Sequence, residues 1–390
     1  MRLVLRSAGR GPGEVVGDVV IVRRPVEAVI GAQNLGARST GREGAFAAVT
    51  FNDLIGLGDR TTVTGYTTLD WDEQQIVSLS HELALGADGL RLGGSVLFGW
   101  SKPDLGGAPF ETDTFTAEAH LSYPLIRRQQ QSLVASGGLE IVDQDLSFGD
   151  TRLSEDKLRV LFLHLDHELV APDSVRGYRG YSVREPEWRS AFSLELRKGI
   201  DGLGASDDCD PLSACLPPNL PISNFAADPS AFVARLDGTI ELRPVPVVTF
   251  AIKPLAQISD APLLSYEQVS LGNYTIGRGF EPGVALGDRA LGAAFELRYG
   301  SLFPRNATAF ALEPFVFLDV ARAWVDDAAN APDPRRVLSA GGGLRARWGD
   351  RVDFGVLLAF PLEPAGFQTE TPDPQLLFTV TARLLPWGEQ

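Results

Sequence analysis

The chain has 390 residues, long for an ordinary domain but suited to one large barrel. It carries 35 basic against 50 acidic residues, a net charge of −15, which argues against nucleic acid, whose binding rests on Lys and Arg neutralising phosphates. No stretch approaches the roughly 18 apolar residues of a membrane helix, which leaves a soluble fold or a barrel whose strands cross lipid with only about 9–11 residues each.

The first 23 residues contain "GEVVGDVVIVRRP", a strand-like run, and "MRLVLRSAGRGPGEVV" has no apolar stretch of signal-peptide length. From residue 24 onward, segments alternating apolar and polar residues start near 24, 42, 60, 73, 88, 110, 129, 155, 186, 230, 247, 290, 308, 336, 351 and 374. In "FVARLDGTIELR" (232–243), Phe232, Ala234, Leu236, Gly238, Ile240 and Leu242 share one face, and Arg235, Asp237, Thr239, Glu241 and Arg243 share the other. A period of two sorts side chains this way only on a strand. Short turns such as "IGLGD", "LGADG" and "WGD" alternate with long acidic or Pro-rich connections such as "SKPDLGGAPFETD", "VDDAANAPDPRR" and "PAGFQTETPD". Short turns at one rim and long loops at the other mark an outer-membrane barrel. The expected fold is therefore all-β: a transmembrane antiparallel β-barrel of about sixteen strands. A soluble sandwich or propeller also alternates and is the competing fold. Trp71, Trp100, Trp188, Trp324, Trp348 and Trp387 fall at or beside expected strand ends, as aromatic girdles at two bilayer interfaces require.

The candidate sites follow in chain order. "HLDHE" (164–168) sets His164, Asp166 and Glu168 on one strand face, too spread for an easy closed metal site, and reads as a polar row facing water. His81 and His120 are isolated. Cys209 and Cys215 frame "CDPLSAC" in a long connection; a short-loop disulfide in an oxidising exterior is the expectation, with free thiols or a metal-binding pair as alternatives. "LGNYTIGRGFEPGVALGDRALG" (271–292) holds six glycines, with Arg278 between Gly277 and Gly279 and Phe280 following. A phosphate-binding turn would need a helix next, and none is expected after Gly279 or after Gly341–Gly343. No Ser/His/Asp, paired-carboxylate or nucleotide-binding arrangement stands in a credible frame, so neither enzyme activity nor a cofactor, metal or nucleotide is expected.

"YTIGRGFEPG" followed by "LGD" and a strand resembles the inward-folded loop of the haemolysin secretion/activation outer-membrane transporters of two-partner secretion, whose superfamily includes the barrel-assembly insertase. The resemblance implies that the loop at about 260–290, between strands eleven and twelve, folds into the lumen. Its Arg-Gly-aromatic tip would meet an acidic residue in a Phe-x-Asp-x-Gly motif on strand thirteen. Here "EPFVFLDVARAW" supplies Phe317, Asp319 and Ala321 on one strand face, with Ala321 where the family pattern has glycine. The implied lock is Arg278 with Asp319, moulded by Gly277, Gly279, Phe280 and Phe317. Glycine at 277 and 279 would allow close approach and positive φ, and the rigid guanidinium fork suits a carboxylate. "SVRGYRGY" (174–181) contains Val175-Arg176-Gly177-Tyr178, which fits the tip equally well, but no matching aspartate strand follows, so it reads as a solvated connection. "VEAVIGAQNLGARSTGREGAFAAVTFNDLIGLGDRTTVTGYT" resembles the start of the family's barrel, which places residues 1–23 as the remnant of the last periplasmic POTRA domain and 24–390 as the barrel. Family chains also carry a signal peptide, a plug helix and two POTRA domains, and the expectation is that this chain is truncated. The implied function is ATP-independent secretion and activation of a large exported partner of haemolysin or adhesin type across the Gram-negative outer membrane. The implied partners are that client and outer-membrane lipid. An assembly factor of the same superfamily and a passive porin are the alternatives.

Overall fold

The computed structural model describes residues 2–7, 15–20, 24–216, 219–326 and 335–385. Two strands, Arg2–Ser7 and Val15–Val20, form a separate antiparallel hairpin. The rest is one closed antiparallel barrel of sixteen strands. In chain order they are β1 (Val26–Gln33), β2 (Gly44–Asn52), β3 (Arg60–Thr68), β4 (Gln74–Ala84), β5 (Arg91–Ser101), β6 (Phe110–Arg127), β7 (Gln131–Phe148) and β8 (Thr151–Val170). They continue as β9 (Trp188–Gly199), β10 (Phe232–Val245), β11 (Val248–Ser259), β12 (Arg289–Tyr299), β13 (Phe310–Trp324), β14 (Arg335–Trp348), β15 (Val352–Pro361) and β16 (Gln375–Leu385). Each strand pairs with its sequence neighbours, and β16 closes on β1 from Thr379↔Gln33 to Leu385↔Ala28, so no edge is left open. Among the described residues, helix is confined to a single turn at Pro172–Val175 and short 3-10 segments.

The two strand faces are inverted relative to a soluble protein. On β13, Glu313, Phe315, Phe317, Asp319 and Ala321 are buried, while Leu312, Val316 and Leu318 are exposed. On β10, Glu241 and Arg243 are buried, and Leu236, Ile240 and Leu242 are exposed. The alternation read in the sequence is thus real, with the charged face covered and the apolar face bare. Five tryptophans fall among the described residues, all at or beside strand ends: Trp71, Trp100 and Trp324 at one rim and Trp188 and Trp348 at the other; Trp387 lies outside the described residues.

Connections also alternate. Those at 53–59, 85–90, 128–130, 246–247 and 349–351 are turns, and those at 102–109, 200–231, 260–288 and 362–374 on the opposite rim are long. Four depart from the expected rule: 69–73 is short on the long-loop rim, 300–309 runs ten residues on the turn rim, and two more stand out. The 149–150 turn lies on the long-loop rim because β7 and β8 run 18 and 20 residues, so the extra length is taken up as strand. The 171–187 connection is long although it lies on the turn rim. Past Val160↔Gly199, β8 has no strand partner on its β9 side. Residues from the 200–231 connection fill that edge: the Ile200 and Ser206 amides donate to the Arg159 and Lys157 carbonyls at 2.8 and 2.9 Å, and the Glu155 amide donates to Pro221 O at 2.9 Å. A protruding hairpin with bare ladder groups would template unwanted pairing, and this cover prevents it.

Candidate functional site

The 260–288 connection begins at the end of β11 and packs on the charged face of the wall. Its ends pair briefly as Val269–Leu271 with Ala285–Gly287. Between them the tip tightens into a turn in which the Phe280 amide donates to Gly277 O at 2.8 Å. Leu271, Ile276, Phe280 and Ala285 are buried in one cluster with Ala321, Ala323 and Val337 of β13 and β14. That apolar seat sets the depth of the tip.

The geometry of the tip brings the two predicted charges together. Arg278 Nε donates to Asp319 Oδ2 at 3.0 Å and Nη2 to Oδ1 at 2.6 Å, a side-on bidentate pair. The Arg278 amide also donates to Oδ2 at 2.8 Å, and the Gly277 amide does so at 3.3 Å. The guanidinium lies over the Phe317 ring, 3.8 Å from its centroid. A fork, two backbone donors and an aromatic face together define one orientation, which a single charge–charge contact does not. Asp319 is wholly buried, so removing its cation would leave a buried carboxylate with no opposite charge, a change that costs about 3–5 kcal/mol for buried pairs.

The two glycines act differently: Gly277 has both the positive φ and the close approach expected of it, and Gly279 has only the close approach, which corrects the expected positive φ there. Gly277 has φ +122°, a backbone region that L side chains rarely adopt, and a Cβ there would also lie 2.4 Å from Val337 Cγ1. Gly279 has no positive φ; its role is contact. A Cβ on it would sit 2.8 Å from both Pro361 N and Ser339 Cβ. The bare backbone instead donates from Gly279 N to Ser339 Oγ at 3.2 Å and accepts from Gln375 Nε2 at 3.1 Å.

Several participants escaped the sequence reading. Glu296 on β12, fully buried in its side chain, accepts Arg278 Nη1 at 2.5 Å, Arg298 Nε at 2.6 Å and Arg345 Nη2 at 3.0 Å. Arg345 stacks on Phe315 at 4.0 Å, repeating the Arg278–Phe317 arrangement two residues along β13. Gly341 lies in mid-strand, and a Cβ there would fall 2.9 Å from the Phe317 ring, so its hydrogen makes room for that ring. Alternation along β12 marks Glu296 as a charged-face residue; the meeting of four groups from β12, β14 and the loop depends on barrel stagger, which no single strand carries.

The connection touches the wall over most of its circumference. Leu264 packs with Val142 of β7 and Leu158 and Val160 of β8. Arg197 of β9 and Arg235 of β10 reach Glu267. Further along come Glu296, Asp319, Ser339 and Gln375 from β12, β13, β14 and β16, and the Leu35 carbonyl, just after β1, accepts Asn273 Nδ2 at 2.8 Å.

Elsewhere, Cys209 and Cys215 are joined in the structure with Cα atoms 5.4 Å apart, buried against Val142, Leu158 and Leu264. His164 Nε2 bonds Ser193 Oγ, which donates to Asp166 Oδ1 at 3.0 Å, an intrastrand and cross-strand polar row. Gly341–Gly343 are strand residues, and no helix follows them or Gly279.

Comparison with known proteins places these features. No curated protein sequence matches the chain. Among solved structures, CdiB from Escherichia coli aligns with TM-score 0.78 at 19% identity, covering 98% of this chain and 67% of that one. CdiB from Acinetobacter baumannii aligns with TM-score 0.69 at 15% identity, covering 98% and 65%. BamA from Haemophilus ducreyi lacking POTRA domains 1–3 aligns with TM-score 0.62 at 16% identity, covering 98% and 75%. At such identities the likeness carries the fold, and the chain spans about two thirds of the length of the CdiB structures. The family model for haemolysin secretion/activation protein ShlB/FhaC/HecB matches residues 18–346. The chain therefore belongs to that family of two-partner secretion transporters, β-barrel proteins of the Gram-negative outer membrane.

Proposed function

We propose that this chain is the pore of a transporter that secretes and activates a large haemolysin- or adhesin-type partner, with residues 260–288 folded into the lumen as a plug and Arg278–Asp319 as its lock. The observation that carries the reading is the span of the plug's contacts. One segment meets wall residues from β7 round to β16 and Leu35 just after β1, a span of contacts that supports a segment folded inside the ring. Its charged partners then face a wet interior, and the bare Leu, Val and Phe face of the strands meets lipid. Left in water, that face would be an apolar band far beyond what soluble proteins expose.

The client crosses as an extended chain and folds outside, so its own folding supplies direction and no nucleotide is used. Neither glycine cluster precedes a helix amino terminus, the usual cradle for phosphate. The hairpin of Arg2–Ser7 and Val15–Val20 is the end of the last POTRA domain, with the barrel proper from 24. The disulfide tethers the 200–231 connection over the exposed edge of β8, on the outer side.

The test is Arg278→Ala in the full-length transporter, with secreted client measured in the medium and folded barrel measured in the outer membrane. The expected result is loss of secretion with the barrel still inserted. Normal export by that variant overturns the lock.

A further inference from the structure

The tip holds one buried loop charge; the limb leading to it holds another of opposite sign. Glu267, almost wholly buried, accepts Arg197 Nη2 at 2.6 Å, Arg197 Nε at 3.1 Å and Arg235 Nη2 at 2.7 Å. Its backbone carbonyl accepts Arg235 Nη2 at 3.0 Å and Gln257 Nε2 at 3.1 Å. The loop is thus held by an anion on wall cations at its base and by a cation on wall anions at its tip.

We propose that Glu267 is a second positioning residue of the plug, a base clasp onto β9 and β10, and that it opens before the Arg278 clasp. This rests on the plug reading above. The reason lies in what each departure leaves on the wall. Without Glu267, Arg197 keeps Glu140 at 2.5 Å and Glu195 at 3.0 Å, and Arg235 keeps Glu195 at 3.4 Å and the Gln257 side-chain Oε1 at 2.9 Å. Those charges close on one another. Without Arg278, Glu296 keeps Arg298 and Arg345, but among the described residues Asp319 keeps only the Ser339 hydroxyl at 3.5 Å. A buried carboxylate without a cation is the more expensive remnant. The base limb is therefore the part the protein can free while the tip stays seated, which gives the plug a half-open state on the way to a client-wide pore.

The experiment is conductance in planar bilayers, with the folded state of each preparation followed by heat-modifiable gel mobility. Glu267→Gln should keep folded mobility and raise the frequency of openings of intermediate size about tenfold, the scale of one charge-assisted hydrogen bond. Arg197→Gln combined with Arg235→Gln strands Glu267 instead of neutralising it and should exceed that effect. Arg278→Ala should give large, long-lived openings. If Glu267→Gln does not fold, Glu267→Asp keeps the charge with a shorter reach and must show the same rise. Folded Glu267→Gln or Glu267→Asp protein conducting as the unsubstituted barrel does, beside an open Arg278→Ala pore, overturns the base clasp and leaves the plug reading intact. Unchanged conductance in Arg278→Ala as well removes the plug, and the base clasp with it.

Discussion

Two Arg-Gly-aromatic stretches in this chain have opposite fates. At Arg176-Gly177-Tyr178 the arginine side chain is 72% exposed, its nearest acidic partner is Asp173 at 3.8 Å on the same helical turn, and Tyr178 projects into solvent. At Arg278-Gly279-Phe280 the side chain is 13% exposed, bonded at both ends of its fork, and Phe280 is fully buried. The local sequence is nearly the same; the difference is the wall opposite. Arg278 faces Asp319, Glu296 and the Phe317 ring, while Arg176 faces a screened, flexible contact worth little. A short motif gains meaning from the strand that receives it.

The sharpest way to break the comparison is Arg278→Lys. It keeps the charge and removes the fork. An ammonium is a compact charge that cannot serve both oxygens of Asp319 and Glu296 while lying flat on Phe317. Secretion should fall at least about tenfold, matching the loss of a charge-assisted bidentate pair. Near-normal secretion by Arg278→Lys would reduce the site to bare charge.

Gly279→Ala probes fit without touching charge. The added methyl meets Pro361 N, Ser339 Cβ and the Phe360 carbonyl carbon at 2.8–3.0 Å, and two of those atoms are backbone that cannot swing aside. Overpacking of this kind costs about 1–3 kcal/mol, so client in the medium should drop about threefold or more, less than for Arg278→Lys. The matching change Gly177→Ala is a different test: a Cβ there has open space, but φ is +72°, so its strain is local to the exposed turn.

Much of this was legible from the sequence because barrel strands repeat every two residues. All sixteen strand starts fall within four residues of the positions that alternation gives, and the Arg278–Asp319 pair follows from the resemblance carried by "YTIGRGFEPG" and "FLDVA". What stayed hidden was lateral. Alternation assigns Glu296, Arg197 and Arg235 to the charged face but cannot say that the first meets Arg278 or that the others meet Glu267, residues 18, 70 and 32 positions away. Such meetings are set by strand stagger around the closed ring and by how deep the loop sits. The long β7–β8 hairpin departs from the alternation of short and long connections for a related reason: a two-residue turn with long strands and a long loop with short ones carry similar polar sequence at the tip.

The smallest expected effect belongs to Arg176→Ala. Its guanidinium reaches one exposed carboxylate at 3.8 Å, three residues back, a pair of the kind that contributes almost nothing in water. Among the described residues no wall residue pairs with it, so no buried charge there is stranded when it goes. Client secretion and folded barrel should both stay at the level of the unsubstituted protein, in the assays that detect the loss in Arg278→Lys. A secretion defect at Arg176→Ala comparable to that of Gly279→Ala would mean that the 171–187 connection takes part in transport, and that exposure at the turn rim is a poor guide to idleness.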